Sequence, residues 1–244
     1  MKRLKNDSVM NSKEDFIIDK PYSLLPDDKQ AIAKVIGKGN LSANSWSDKE
    51  LGTFKENIRD YLREKQNGYC AFCRMKIHED NATAELEHMV NKGRRLDWMF
   101  LPQNLVFSCR LCNTSKSTNQ SLKDMTVTDY PIDGDDFLFV NPYFDRYSEH
   151  IEIKNDILYH GITPKGIYTV DKCHLNRMNL TIARAENVIK NSKKGFIGVF
   201  LMVNNPAYAK VVEDKDKIIN RLHLKERMQQ YKAKHRNEKI TRAN

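Results

Sequence analysis

Apolar residues recur at three- and four-residue intervals in two places along the chain, and each stripe marks a helix with one buried face. Leu51, Phe54, Ile58 and Leu62 form the first, behind Ser47-Asp48-Lys49-Glu50, which has the form of a capping box. The second follows Asp171 and carries Leu175, Met178, Ile182 and Ile189. A shorter helix is expected from Asp27 to Ile36, ended by Gly37 and Gly39. Phe137 to Val140, Ile151 to Ile153 and Ile167 to Val170 read as short strands, punctuated by Pro142, Gly161, Pro164 and Gly166. The longest apolar run, Phe196 to Val203, is a buried strand or helix segment. It falls well short of the ~18 uncharged residues that span a bilayer. With turns at Asn67-Gly68 and Asp133-Gly134-Asp135-Asp136, the pattern gives an α+β chain in three parts: an N-terminal arm with helices (1–66), a central segment (67–125) and a mixed α/β C-terminal region (126–244).

Charge adds a partner class to this picture. The 41 Lys and Arg outnumber 32 Asp and Glu, for a net charge of +9. Lys215 to Asn244 alone holds ten basic residues against three acidic ones. A basic excess favours polyanions, because neutralising phosphates releases condensed counterions. A solvated helix with a frayed end accounts for the tail equally well. Met1 to Asp7 is charged and has no apolar signal core, so a soluble cytoplasmic protein without a membrane partner is expected.

Four of the five cysteines form two Cys-x-x-Cys knuckles, Cys70/Cys73 and Cys109/Cys112, 35 residues apart; Cys173 stands alone. Each knuckle bends the backbone so that two thiolates converge, and two knuckles close a tetrahedral shell suited to Zn2+. A closed shell has no position for water, so such a zinc is structural; buried free cysteines or an iron–sulfur cluster are the alternative readings. His78 lies close to the first knuckle but is not needed to complete the shell.

Between and just after the knuckles come Glu85-Leu86-Glu87-His88, Asn104-Leu105-Val106 and Cys112-Asn113-Thr114-Ser115-Lys116. Phosphodiester hydrolysis needs a base to activate water and a cation to stabilise charge on the phosphate and the leaving oxygen. His88 titrates in the range a base requires. Glu87 and Asn113 offer hard oxygens for Mg2+ or Mn2+, with coordination positions left for water and phosphate. In a regular strand Glu87 and His88 point to opposite faces, so both serve one site only if the strand end bends. Otherwise Glu85 and Glu87 share a face and Glu87 is merely solvated.

Cys70-x-x-Cys73, Glu87-His88, Asn104-Leu105 and Cys109-x-x-Cys112-Asn113-x-x-Lys116 together resemble the HNH, or ββα-metal, endonucleases in their four-cysteine zinc form. The resemblance implies two strands joined by a long loop and followed by a helix. His88 would close the first strand as general base, and Asn104, on the second, would fix the loop or orient His88. Asn113, at the start of the helix, would hold the catalytic ion with Glu87, while Lys92 and Lys116 would contact nucleic acid. Asn113 stands where the motif's third letter is often His.

A narrower likeness covers about residues 47 to 190. Glu87-His88-Met89-Val90-Asn91-Lys92, Leu96-Asp97-Trp98, Asn141-Pro142-Tyr143-Phe144-Asp145, Glu149-His150-Ile151 and Leu175-Asn176-Arg177 resemble the HNH subunit of Septu-type anti-phage systems and retron-associated relatives. That family works beside an ABC-type or SMC-like ATPase, which implies that residues 126–244 dock a partner. Asn91 stands before Lys92 where the family has Pro, which loosens the placement of Lys92. Asn141 and His150 are explained by a strand-ending turn and a surface side chain. A stand-alone restriction or mobile-element nuclease, or a silent zinc module that recruits nucleic acid or a partner, is the competing expectation.

Overall fold

Proline at the first turn and Ile32 and Val35 on the buried face make Pro26–Gly37 the first helix, α1, as the sequence predicts. The next helix begins later than expected. Two short 3-10 turns, Ala43–Ser47 and Lys49–Leu51, come first, separated by the extended Asp48. Asp48, not Ser47, caps the second of these turns, its carboxylate accepting from the Glu50 amide at 3.1 Å, and the helix behind it starts without a side-chain cap. The helix α2 then runs Gly52–Lys65 and buries Phe54, Ile58 and Leu62. The structure is a computed structural model that describes residues 13–77, 84–208, 212 and 214–241; His78 lies outside the described residues.

The strands β1, Ala84–His88, and β2, Leu105–Cys109, pair antiparallel, with Ala84 opposite Cys109 and His88 opposite Leu105. The helix α3, Arg110–Lys116, follows β2 without a break. This is a ββα arrangement. Gln66, at the C-cap of α2, fastens that helix to the sheet by lending both ends of its amide to β2. Its Oε1 accepts from the Phe107 amide and its Nε2 donates to the Phe107 carbonyl, each at 2.8 Å.

Beyond α3 the short-strand expectations divide. Ile151 to Ile153 lie in β3, Ile151–Lys154, which pairs with β4, Leu158–Gly161. Phe137 to Val140 form no strand; Phe137 makes one isolated bridge to Leu122, and Phe137, Phe139 and Val140 are buried as single side chains. Ile167 to Val170 are helical, inside α4, Pro164–Lys172. The Thr163 hydroxyl accepts from the Gly166 amide at 3.1 Å, and Pro164 opens the first turn. That start signal outweighs the β-branched propensity of the residues behind it. The stripe expected after Asp171 settles as α5, Met178–Asn191, with Leu175 buried before it. Phe196 to Val203 fall in α6, Gly195–Val203. The helices α7, Lys215–Arg221, and α8, Leu224–Thr241, follow.

The chain forms two compact units. One comprises the described residues up to Glu152 together with His160–Leu175, and so contains the helical arm, the ββα and residues 126–152. The other comprises Ile153–Tyr159 and the described residues from Asn176 onward, around a core that includes Leu158, Ile182, Val199, Met202, Ile218 and Leu222. Among the described residues no helix is long and apolar enough to cross a membrane.

Candidate metal centre and active site

The first knuckle is a tight hairpin. Tyr69 bridges Lys76, the Cys70 amide donates to the Met75 carbonyl, and Arg74 takes the left-handed conformation that turns the chain. Cys109 ends β2 and Cys112 sits in the first turn of α3, so the strand–helix junction delivers the second pair. The four Sγ atoms lie within 4.8 Å of one another, with Cys73 and Cys109 at 3.9 Å. Sulfurs about 2.3 Å from a tetrahedral zinc stand about 3.8 Å apart, so the cluster has the size the ion requires. Crowding ties their titrations together: hydrogen bonds from Cys112, Cys70 and Cys73 hold Cys109 far below the usual thiol range, while burial pushes Cys70 up. A divalent cation removes that conflict by letting all four ionise. The buried Arg74 guanidinium lies 3.6 Å from the Phe16 ring and 4.5 Å from that of Tyr147. Its charge, felt by Cys70 and Cys73, would offset the net −2 of a four-thiolate zinc.

The alternation of β1 sorts the candidate residues onto two sides. Glu85 and Glu87 meet α3: Asn113 Nδ2 donates to Glu85, and the Lys116 ammonium donates to Glu87 at 2.9 Å. Glu87 is therefore not solvated; it is 7 % exposed and paired with a cation that is 0 % exposed. Lys116 also donates to the His88 carbonyl at 2.8 Å. This corrects its expected role. A fully buried ammonium with two partners is an internal tie between α3 and the end of β1 and has no surface to offer a phosphate. Asn113 is the fourth of seven residues in α3, one turn further in than expected. Glu85, the free oxygen of Glu87 and the side-chain oxygen of Asn113 are hard donors, and their chemistry fits Mg2+ or Mn2+.

His88 faces the other way. It closes β1, as expected, and its Nε2 lies 3.0 Å from the Met99 carbonyl. A carbonyl can only accept, so Nε2 carries the proton and Nδ1 keeps its lone pair. The Trp46 ring stands edge-on at 4.5 Å. Burial first, then the positive charges of Lys92, Lys116 and Lys55, hold the imidazole down at about 3, which corrects the near-neutral titration expected from the sequence and leaves it neutral at pH 7. Among the described residues no hydrogen bond joins the His88 ring to Glu87 or Asn113.

Asn104 precedes β2 as the last residue of a 3-10 turn rather than lying on the strand. Fully buried, it accepts from the Val90 amide at 2.7 Å and donates to the carbonyls of Val90, at 3.0 Å, and Trp98, at 3.1 Å. It closes the loop that carries Met99, the partner of His88. Lys92 lies half-buried on that loop, and no ion pair involves it among the described residues. Asn91, in the place of the family's proline, makes its own turn: Oδ1 accepts from the Gly93 amide at 2.8 Å. Asn141 and His150 make structural bonds, to the Tyr143 amide and the Thr163 hydroxyl respectively.

Trp46, Lys55 and Arg59 were invisible as site residues. A helix stripe reports which face of α2 is buried, not that the neighbouring positions stand beside His88. Long-range packing brings them there: α2 lies against both strands, with Gln66 bonded to Phe107 across 41 residues, and the Trp46 ring meets Phe54 and Phe100.

Comparison with known proteins gives two relatives. A Septu protein PtuB from Bacillus thuringiensis is 33% identical over 125 residues, 51% of this chain and 43% of that protein. A Septu protein PtuB from Bacillus mycoides (strain KBAB4) is 27% identical over 152 residues, 54% of this chain and 50% of that protein. The chain thus spans half or less of the length of these curated relatives. No family model matches the chain, and no solved structure matches it.

Proposed function

We propose that the chain is a metal-dependent HNH endonuclease that hydrolyses phosphodiester bonds, with DNA as its substrate, and that it is the nuclease component of a Septu-type anti-phage system. Similarity to two Septu proteins supports the system. The nuclease reading rests on one observation: at the end of β1 His88 has Nε2 committed to the Met99 carbonyl and Nδ1 left with a lone pair.

In this reading Nδ1 of His88 takes the proton of the attacking water, and the Met99 carbonyl fixes the tautomer that makes this possible. Asn104 holds the neighbouring Trp98 carbonyl and so keeps Met99 in place. A divalent ion held by Glu87 and Asn113, with Glu85 beside them, would supply charge stabilisation at the phosphate and the leaving oxygen. Lys116 orients Glu87 by occupying one of its oxygens. The four-cysteine zinc fixes the junction of β2 and α3, and with it the distance from Asn113 to β1. An ABC- or SMC-like ATPase is the partner that the Septu resemblance implies.

The test is conversion of supercoiled plasmid by the purified chain, alone and with a co-expressed ATPase from the same operon. Nicking that depends on added Mg2+ or Mn2+ and rises with the partner is expected. Absence of any cleavage under both conditions contradicts the proposal.

A further inference from the structure

The side of the site opposite Glu87 carries three cations that the zinc and the acidic face do not use. Lys55 and Arg59 stand one helical turn apart on α2, beside its buried stripe. The Lys55 ammonium lies 5.0 Å from the centre of the Trp46 ring, which in turn meets His88 edge-on. Arg59 has its Nε buried without a hydrogen-bond partner. Lys92 approaches from the loop after β1. The Asn91–Gly93 turn packs so closely on the Trp46 segment that a Cβ on Gly93 would lie 3.7 Å from the Ala43 Cβ.

These charges lack counterions. Among the described residues no ion pair involves Lys55, Arg59 or Lys92, and Asp48, whose field reaches Lys55, is bound to Lys38 at 2.5 Å. Burial first, and then Arg59, pull Lys55 below its ordinary value, with Lys92 adding to the effect. Like charges gathered in a partly dry place repel one another, and an anion set among them removes that cost. Lys55 and Lys92, from two different elements, both act on His88, and Arg59 acts on Lys55, so an anion that the three share lies near the imidazole.

We infer that Lys55, Arg59 and Lys92 form a phosphate cradle that holds the backbone of a DNA duplex against the His88 side of the site. The ligand's identity rests on the nuclease reading; the cradle's existence rests on the uncompensated charge. Such contacts position a duplex without reading its sequence.

Fluorescence anisotropy of a labelled duplex, titrated with the full chain in EDTA across a range of KCl, tests this without requiring cleavage. Lys55→Gln with Arg59→Gln should lower affinity by roughly 10-fold or more and reduce the slope of log K against log salt by about 2, at about 0.9 per phosphate contact. Lys55→Arg with Arg59→Lys should restore the slope. Lys92→Gln, on a separate element, should reduce it by about 1, which guards against a folding defect in α2. Zinc content should match wild type throughout. Wild-type binding with unchanged affinity and slope in the Gln variants overturns the cradle and leaves the nuclease proposal standing. A wild-type chain that binds no duplex overturns both.

Discussion

The Lys116 ammonium sits 2.9 Å from Glu87 Oε1, with Lys116 fully buried and Glu87 nearly so. Through this contact the last turn of α3 is fixed to the end of β1, where the two candidate functions of Glu87 and His88 diverge. Removing one member of a buried pair leaves an uncompensated charge. Lys116→Met should therefore destabilise the chain by about 3–5 kcal/mol, measured by urea unfolding. A loss below about 1 kcal/mol would contradict a structural role and reopen the surface role that the motif suggested.

The four cysteines should hold one tightly bound zinc per chain, measured by elemental analysis of the purified protein. Cys109→Ser should lose the metal and lower the unfolding midpoint sharply, because binding free energy at such a site is folding free energy. A well-folded chain with no zinc would refute the assignment.

Asn104→Ala should loosen the loop between β1 and β2 without touching zinc. It strands the Val90 amide and the Val90 carbonyl in a dry interior, at about 1–3 kcal/mol for each unsatisfied group, while the Trp98 carbonyl keeps the Leu101 amide as a partner. Hydrogen exchange of the Val90 amide should accelerate by the corresponding factor. Unchanged protection there would mean that Asn104 does not pin the loop.

What the sequence made legible was whatever carries a local signal. The knuckles, the α2 stripe and the order Glu87-His88, Asn104, Asn113 are short-range patterns, and the structure sets them on a ββα frame. Ile167 to Val170 were misread because β-branched residues suggested a strand while Thr163-x-x-Gly166 and Pro164 formed a helix start. Lys116 was misread because a lysine's burial depends on partners from another element, here Glu87 and the His88 carbonyl. The positions of Lys55 and Arg59 depend on α2 packing against β1 and β2, the Gln66 bonds to Phe107 among those contacts, and no local pattern announces contacts of that range.

Cleavage should require added Mg2+ or Mn2+ and stop in EDTA at a concentration that leaves the structural zinc in place. Asn113→Ala should lose activity and regain part of it as the metal concentration rises, since weakened ligation is offset by mass action. Cleavage undiminished in EDTA, with zinc still bound, would contradict an oxygen-ligated catalytic ion.

His88 tests the central claim most directly. The quantity to measure is the rate of plasmid nicking by His88→Ala beside wild type, with zinc content and duplex affinity determined on the same preparations. A base that acts only in the chemical step should be worth roughly 10²–10⁴-fold in rate, with zinc and duplex affinity unchanged. A His88→Ala protein that nicks as fast as wild type would contradict the HNH mechanism proposed for this chain.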